Sequence, residues 1–412
     1  MKRFRCLACA ALCALLALAG PGPARAETDY AASVRLDYTS GTKKQAVTVK
    51  TFVDGDTTHF SVPESVDPSG VLKARYLACN TPESTGKIEE WGKAAARFTR
   101  EKLENAEEIV IESDGGAWNT DSTGTRCLVW VWYRPAGQQQ FRNLNIELLQ
   151  EGYAIANSSA QNRYGDTCMA AIAQARELKK HVYSGEKDPD FYYGDAIELT
   201  IRELRLHPER YEGKKVAFSG VVTLNHDNAV FIEDYDEETG LYFGFSAYYG
   251  FNMSGAGLDV LSVGNEDRIV GTVQYYEAGE TWQVSGLNYR MMKPDDPGNI
   301  RRLSAGHEAS WKSVTPEWLN GSVTLETEDG QETCACAETA LGTSVSLAGL
   351  TVLEAEDRTL RCESGGESVT VRLVFQPETA PLPDSTVDVR GIVGYYDGYC
   401  VCVYTKDGLT IR

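Results

Sequence analysis

Residues 74–84 read ARYLACNTPES, from Ala74 to Ser84. Apolar residues alternate with Arg75 as in a strand, and the run then breaks at Asn80-Thr81-Pro82-Glu83. The alternation predicts a β-strand, and the proline predicts a stiff polar loop at its end. An arginine on the strand with a carboxylate on the loop has two readings: a surface ion pair of little worth, or half of a reaction centre.

Outward from this stretch, VRLDYTSG, VTVKTFVDGDTTHFSV and VLKARYLACN alternate with a two-residue period and turn at Gly and Asp. They predict antiparallel strands. EEWGKAAARFTREKLENAEE carries Trp91, Ala95, Phe98 and Leu103 on one helical face; EIVIES and CLVWVWY are again strands. NIELLQEGYAI and CMAAIAQARELKKHVYS add two more helices. The order predicts a small β-barrel flanked by three helices over residues 27–190. Asp188-Pro189-Asp190 is expected to open a linker.

Beyond residue 190 strands dominate and the sequence repeats. GKKVAFSGVV from Gly213 matches GTSVSLAGLT from Gly342, and GTVQYYEAGETWQVSGL from Gly271 matches GIVGYYDGYCVCVYTKDGL from Gly391. Blocks recurring in the same order predict two similar modules, 191–300 and 301–412, each a five-stranded barrel of the OB type. Gly220 and Gly349, both mid-strand, are expected at a bulge or barrel corner. The chain as a whole is thus expected to be mainly β with helices, an α+β assembly.

The first residues, MKRFRCLACAALCALLALAGPGPARAE, combine a basic start, a short apolar run and Ala24-Arg25-Ala26. They predict a signal peptide over 1–26, too short for a membrane span, and a secreted chain. The net charge of −19 becomes −23 without the four basic residues of that leader. Residues 27–190 carry −5 and residues 191–412 carry −18, so the C-terminal half is expected to repel nucleic acid. Of eleven cysteines, Cys334, Cys336, Cys400 and Cys402 form two Cys-x-Cys pairs. This spacing is narrower than zinc pairs favour, and reads as buried thiols or cross-strand disulfides at strand positions sharing a face.

The polar groups that ordinary strands do not need are Asp54 and Asp56 around Gly55, Arg75, Asn80, Thr81 and Glu83, and Arg126 at the head of a strand. As Asp-Gly, the first is also a common hairpin turn. Together, oxygen donors suit a hard cation such as Ca²⁺, paired arginines suit a phosphate, and a carboxylate free of the metal can deprotonate water.

Residues 45–184 resemble the staphylococcal nuclease (thermonuclease) family, through VDGDT, ARYLACNTPES, EEWGKAAARFTREKLENA, RCLVWVW and NIELLQEGYA. The resemblance implies a five-stranded OB barrel with three helices and a calcium-dependent nuclease that cleaves DNA and RNA to 3′-phosphates. It assigns Asp56, Asn80 and the Thr81 carbonyl to calcium, Glu83 as general base, and Arg75 and Arg126 to the scissile phosphate. Asn80 stands where the best-known member has aspartate, and Asn157-Ser158-Ser159-Ala160 stands where that member has tyrosines near the base. Base stacking is therefore expected to be weaker, or to move to Trp118 or Tyr164. A second reading is kept open: a secreted binding or scaffold protein whose barrel has lost activity. The acidic modules, with Tyr275-Tyr276 and Tyr395-Tyr396 as core or rim residues, are expected to meet a protein or cell-surface partner, and the chain is expected to be a monomer.

Overall fold

The computed structural model describes residues 27–250, 253–289, 298–327, 329–377 and 381–412. The expected signal peptide lies outside the described residues, and among those described no helix is long and apolar enough to cross a membrane.

The first barrel is built from β1 (Lys44–Phe52), β2 (Thr57–Ser61), β3 (Val71–Tyr76), β4 (Ala106–Glu112) and β5 (Cys127–Pro135). Antiparallel pairs join β1–β2, β2–β3, β1–β4 and β4–β5, and a parallel β3–β5 pair closes the circuit. Around it stand α1 (Gly92–Glu104), α2 (Leu144–Gln150) and α3 (Gly165–Glu177), with one further helical turn at Tyr30–Ser33. The core gathers Phe60, Leu72, Tyr76, Ile111, Trp130 and Trp132 from the inward faces of these strands, together with Leu148 of α2. Buried Asn145 stitches β3 to β5: its Nδ2 donates to the Leu77 and Val129 carbonyls, and its Oδ1 accepts from Val131 N–H. A buried amide is tolerated there because all its hydrogen-bonding capacity is met.

The second barrel comprises α4 (Ile201–Leu206), β6 (Lys215–His226), β7 (Ala229–Asp236), β8 (Leu241–Tyr248), β9 (Asn265–Tyr276) and β10 (Thr281–Ser285). The third comprises β11 (Ser344–Glu356), β12 (Thr359–Ser364), β13 (Glu367–Leu373), β14 (Thr386–Tyr395) and β15 (Tyr399–Val403). Each closes like the first, its third and fifth strands parallel and its other neighbours antiparallel. The repeat read from the sequence is therefore a repeat of topology, and the architecture is mainly β with OB-like barrels.

Several local expectations need correction. Ile300–Ala305 pairs with β9, and Leu325 joins the second barrel's core, so chain assigned to the third module builds the second. Gly349 sits at a bulge with φ +68°, as expected. Gly220 does not: its pairing with β9 is unbroken, and a Cβ there would lie 2.8 Å from Ile201 Cδ1. The close approach of the Glu233 backbone carbonyl, 2.7 Å from such a Cβ, demands that glycine, at the point where β6 passes from β9 to β7. Asp188-Pro189-Asp190 is no free linker. Asp188 is buried and accepts from Trp91 N–H at 2.7 Å, and Asp190 pairs with Arg97 at 2.6 Å. The eight described cysteines are all free thiols. Cys400 and Cys402 share a face with sulfurs 3.6 Å apart, whereas Cys334 lies one residue before the end of a strand and Cys336 begins a helical turn. Tyr275, Tyr276 and Tyr396 are about half exposed, rim residues and not core, while Phe243 and Phe245 fill the second core.

Asp267 of β9 carries a testable cost. It is fully buried, and neither carboxylate oxygen has a hydrogen-bond partner among the described residues. Burial, opposed by Arg302 and aided by Glu266, pushes its pKa from 3.8 up to about 7. The folded state thus binds the proton more tightly than the unfolded chain, so stability falls as pH rises between those values. Asp267→Asn is expected to stabilise the protein by up to about 4 kcal/mol above pH 7 and by almost nothing near pH 4. Denaturant titration at the two pH values checks this; equal gains at both would sink it.

Candidate active site

The residues singled out at the strand–loop junction come together at one end of the first barrel. In β3, Leu72, Ala74 and Tyr76 face the core, so alternation sends Lys73 and Arg75 to the other face. Arg75 is therefore not an inward cation. Its guanidinium donates to Asp56 Oδ1 and to Asn80 Oδ1, and Asp56 is completely buried. Ala78, with φ +67°, kinks the chain after β3, and Ala78–Asn80 then pairs with Ile155–Asn157. That kink brings Asn80 back toward Arg75, five residues behind it. Asn157, the first of the four residues that stand where tyrosines are expected near the base, lies in the strand Ile155–Asn157 that backs Ala78–Asn80.

Asp56 is held from several sides. Thr81 N–H donates to its Oδ2 at 2.7 Å and the Thr57 hydroxyl to its Oδ1 at 3.1 Å. Asp54 Oδ1 accepts from the Asp56 N–H at 3.0 Å and so fixes the turn. A Cβ on Gly55 would lie 2.8 Å from Thr81 Cγ2 and 2.9 Å from Ala95 Cβ of α1, so only glycine lets turn, loop and helix meet. The Thr99 hydroxyl on the same helix donates to the Gly55 carbonyl at 2.6 Å. The Asp-Gly turn is thus clamped by a helix and a second loop, which a plain hairpin would not require.

The electrostatics show what the cluster lacks. Burial first, then the Asp54 carboxyl, push Asp56 up to about 7, against the pull of Arg75 and of Thr81 N–H. Two buried carboxylates with one guanidinium call for more positive charge. Thr81 Oγ1 is buried there with no hydrogen-bond partner. Asp54, Asp56, Asn80 and Thr81 form an all-oxygen donor set, which fits a hard divalent cation. No group of three or more His, Cys, Asp or Glu side chains gathers among the described residues, so Asn80 and Thr81 must contribute if a cation binds.

Glu83 lies beyond Pro82 and is exposed. Its backbone is gripped by the segment leading into α1: Glu89 N–H donates to the Glu83 carbonyl at 2.8 Å, and Glu83 N–H donates to Glu89 Oε2 at 3.2 Å. Gly92 packs against the same carbonyl, with no room for a Cβ. Although the residue keeps exposed surface, partial desolvation of its carboxyl raises the Glu83 pKa above its ordinary 4.5; Asp54 and Glu89 raise it further, and Arg75 and Arg126 pull it down. Arg126 is half-buried, and its Nε donates to Asp121 Oδ2 at 2.7 Å. Asp121 also accepts from Thr123 N–H and its hydroxyl. These bonds and Arg126 overcome burial and hold the Asp121 carboxyl down to about 2.

Asp121, Glu89, Thr99 and Gly92 support the cluster and were not singled out in the sequence. Asp121-Ser-Thr-Gly carried a signal, since an aspartate two residues before a threonine makes an Asx turn. Tyr164, a candidate for base stacking, is packed edge-on against Trp130 and Trp132 and is committed to the core. A separate groove of about 640 Å³, lined by Phe52, Arg100, Leu103 and Glu277, contains none of the cluster residues.

No curated protein matches the chain. Residues 73–184 match the family model described as staphylococcal nuclease homologue. The match begins within β3 and takes in Arg75, Asn80, Thr81, Glu83 and Arg126, while Asp54 and Asp56 join from the β1–β2 turn through strand pairing. This part of the chain is similar to staphylococcal nuclease homologues.

Proposed function

We propose that the first barrel is a nuclease domain that hydrolyses phosphodiester bonds of DNA and RNA, in a chain secreted after loss of its leader. The observation that supports this best is the clamped cluster itself: buried Asp56 bonded by Arg75 and Thr81, with Glu83 under the influence of both arginines. Glu83, as its carboxylate, takes a proton from the attacking water as the water oxygen bonds to phosphorus. Arg75 and Arg126 donate to the phosphoryl oxygens, where negative charge grows in the transition state. The bond to the 5′ oxygen breaks, that oxygen is protonated, and a 3′-phosphate and a 5′-hydroxyl remain. Asp56, Asn80 and Thr81 would hold Ca²⁺, which when bound supplies Lewis-acid stabilisation of that charge.

The purified protein is expected to degrade single-stranded DNA and RNA with added Ca²⁺ and to stop on addition of EGTA. A rate indifferent to both would remove the calcium part of the proposal, and no cleavage at all would remove the whole. In that second case a scaffold reading takes over. It is favoured by one arrangement: Arg75 is committed to Asp56 and Asn80, and Arg126 to Asp121. The acidic second and third barrels, with half-exposed tyrosines on their rims, suit a protein or cell-surface partner better than a polyanion.

A further inference from the structure

The loop that follows Glu83 is not left to the first barrel alone. Gln274 of β9 reaches across from the second barrel, and its Nε2 donates to the Ser84 carbonyl at 3.1 Å. Ser285, the last residue of β10, places its hydroxyl 2.8 Å from the Gly86 carbonyl and also within reach of Gln274 Oε1. One hydroxyl proton serves one of these acceptors at a time. Ser285 is completely buried and Gln274 nearly so. The donors are buried and the carbonyls they reach are partly so, and a buried donor that loses its partner is costly. Gly286, with φ +80°, lets the loop lie flush: a Cβ there would meet the Gly86 carbonyl oxygen at 3.3 Å.

The same barrel braces α1. Arg100 of α1 pairs with Glu277 just past β9, and Lys93 lies 3.6 Å from Glu212. Through Ala95 and Thr99, α1 clamps the Gly55 turn that carries Asp56. The second barrel therefore touches two supports of the site: the loop that follows Glu83 and the helix behind Asp56.

We propose that the second barrel is a structural part of the active site, with Gln274 and Ser285 as positioning residues that hold the Glu83 loop by its backbone carbonyls. This rests on the nuclease reading for its catalytic consequence. A general base must sit within about 0.5 Å of its productive place, and a loop released on one side loses that place.

The test uses the full chain. Gln274→Met keeps the side-chain volume and removes the donor; Ser285→Ala removes the hydroxyl. Hydrogen exchange over residues 83–88 is expected to accelerate in each variant and most in the pair. Cleavage is expected to lose ~10- to 100-fold in kcat with KM within ~3-fold, because misplacement of a catalytic group harms the reaction step and not ground-state binding. Wild-type exchange in both variants, or faster exchange with wild-type kcat, would overturn the proposal. If the pair unfolds the second barrel, Gln274→Met alone decides. If the unaltered protein cleaves nothing, the nuclease reading falls and the proposed positioning role falls with it. Exchange then shows separately whether the backbone latch exists.

Discussion

Glu83→Gln is expected to lower the turnover of a DNA or RNA substrate by ~10²- to 10⁴-fold, the range for loss of a general base. The substitution keeps the side chain's shape and its neighbours but cannot accept the water's proton. Folding should be unaffected, since Glu83 is exposed and its side chain supports no other group; its backbone bonds to Glu89 remain. KM should change little, because the carboxyl acts on water and the loss falls on the transition state. Cleavage by the unaltered protein should decline as pH falls through the Glu83 pKa. That limb should lie above the ordinary 4.5, since burial and the Asp54 and Glu89 charges disfavour its anion. Single-turnover rates across pH check both statements. A glutamine variant within a few-fold of wild type would assign the base elsewhere.

Arg126→Ala is expected to cost ~10²- to 10³-fold in kcat, comparable to removing one preorganised donor from a developing oxyanion. Arg126→Lys should recover only part of it. Lysine restores the charge but not the planar fork that can bond Asp121 through Nε and phosphate through its terminal nitrogens. Asp121→Asn separates the roles. It leaves Arg126 charged but weakens the pair that orients it, so it should cost less than Arg126→Ala, about tenfold. Circular dichroism controls for folding, because the Asp121–Arg126 pair is partly exposed and adds little stability. Equal losses in all three variants would mean that the loop had collapsed and that no charge had been removed selectively.

Much of the architecture was legible along the chain because it is periodic. Two-residue alternation set which face of β3 is buried, and the paired blocks at Gly213 and Gly342 announced two barrels of one topology. The cluster was legible by residue type, since Arg75, Asn80, Thr81 and Glu83 lie within one short stretch. Less readable were the features that depend on distant chain. Nothing local marks Asp188, in an apparent linker, as the acceptor for Trp91 N–H, or hairpin residue Leu325 as part of the second core. Gly220 and Gly349 look alike in sequence, yet one makes room for the Glu233 carbonyl and the other adopts a left-handed bulge.

By itself, then, the sequence determined the strands, the three-barrel order and the chemical inventory, because each follows from patterns within some tens of residues. Tertiary structure alone decided how that inventory is held. Strand pairing carried Asp54 and Asp56 to Arg75, and α1 closed on Gly55. Gln274 and Ser285 arrived at the Glu83 loop from about 190 and 199 residues away. Hydrogen bonds over such separations leave no periodic trace. They form only when two packed modules bring a donor and an acceptor together, and that geometry exists nowhere but in the folded chain.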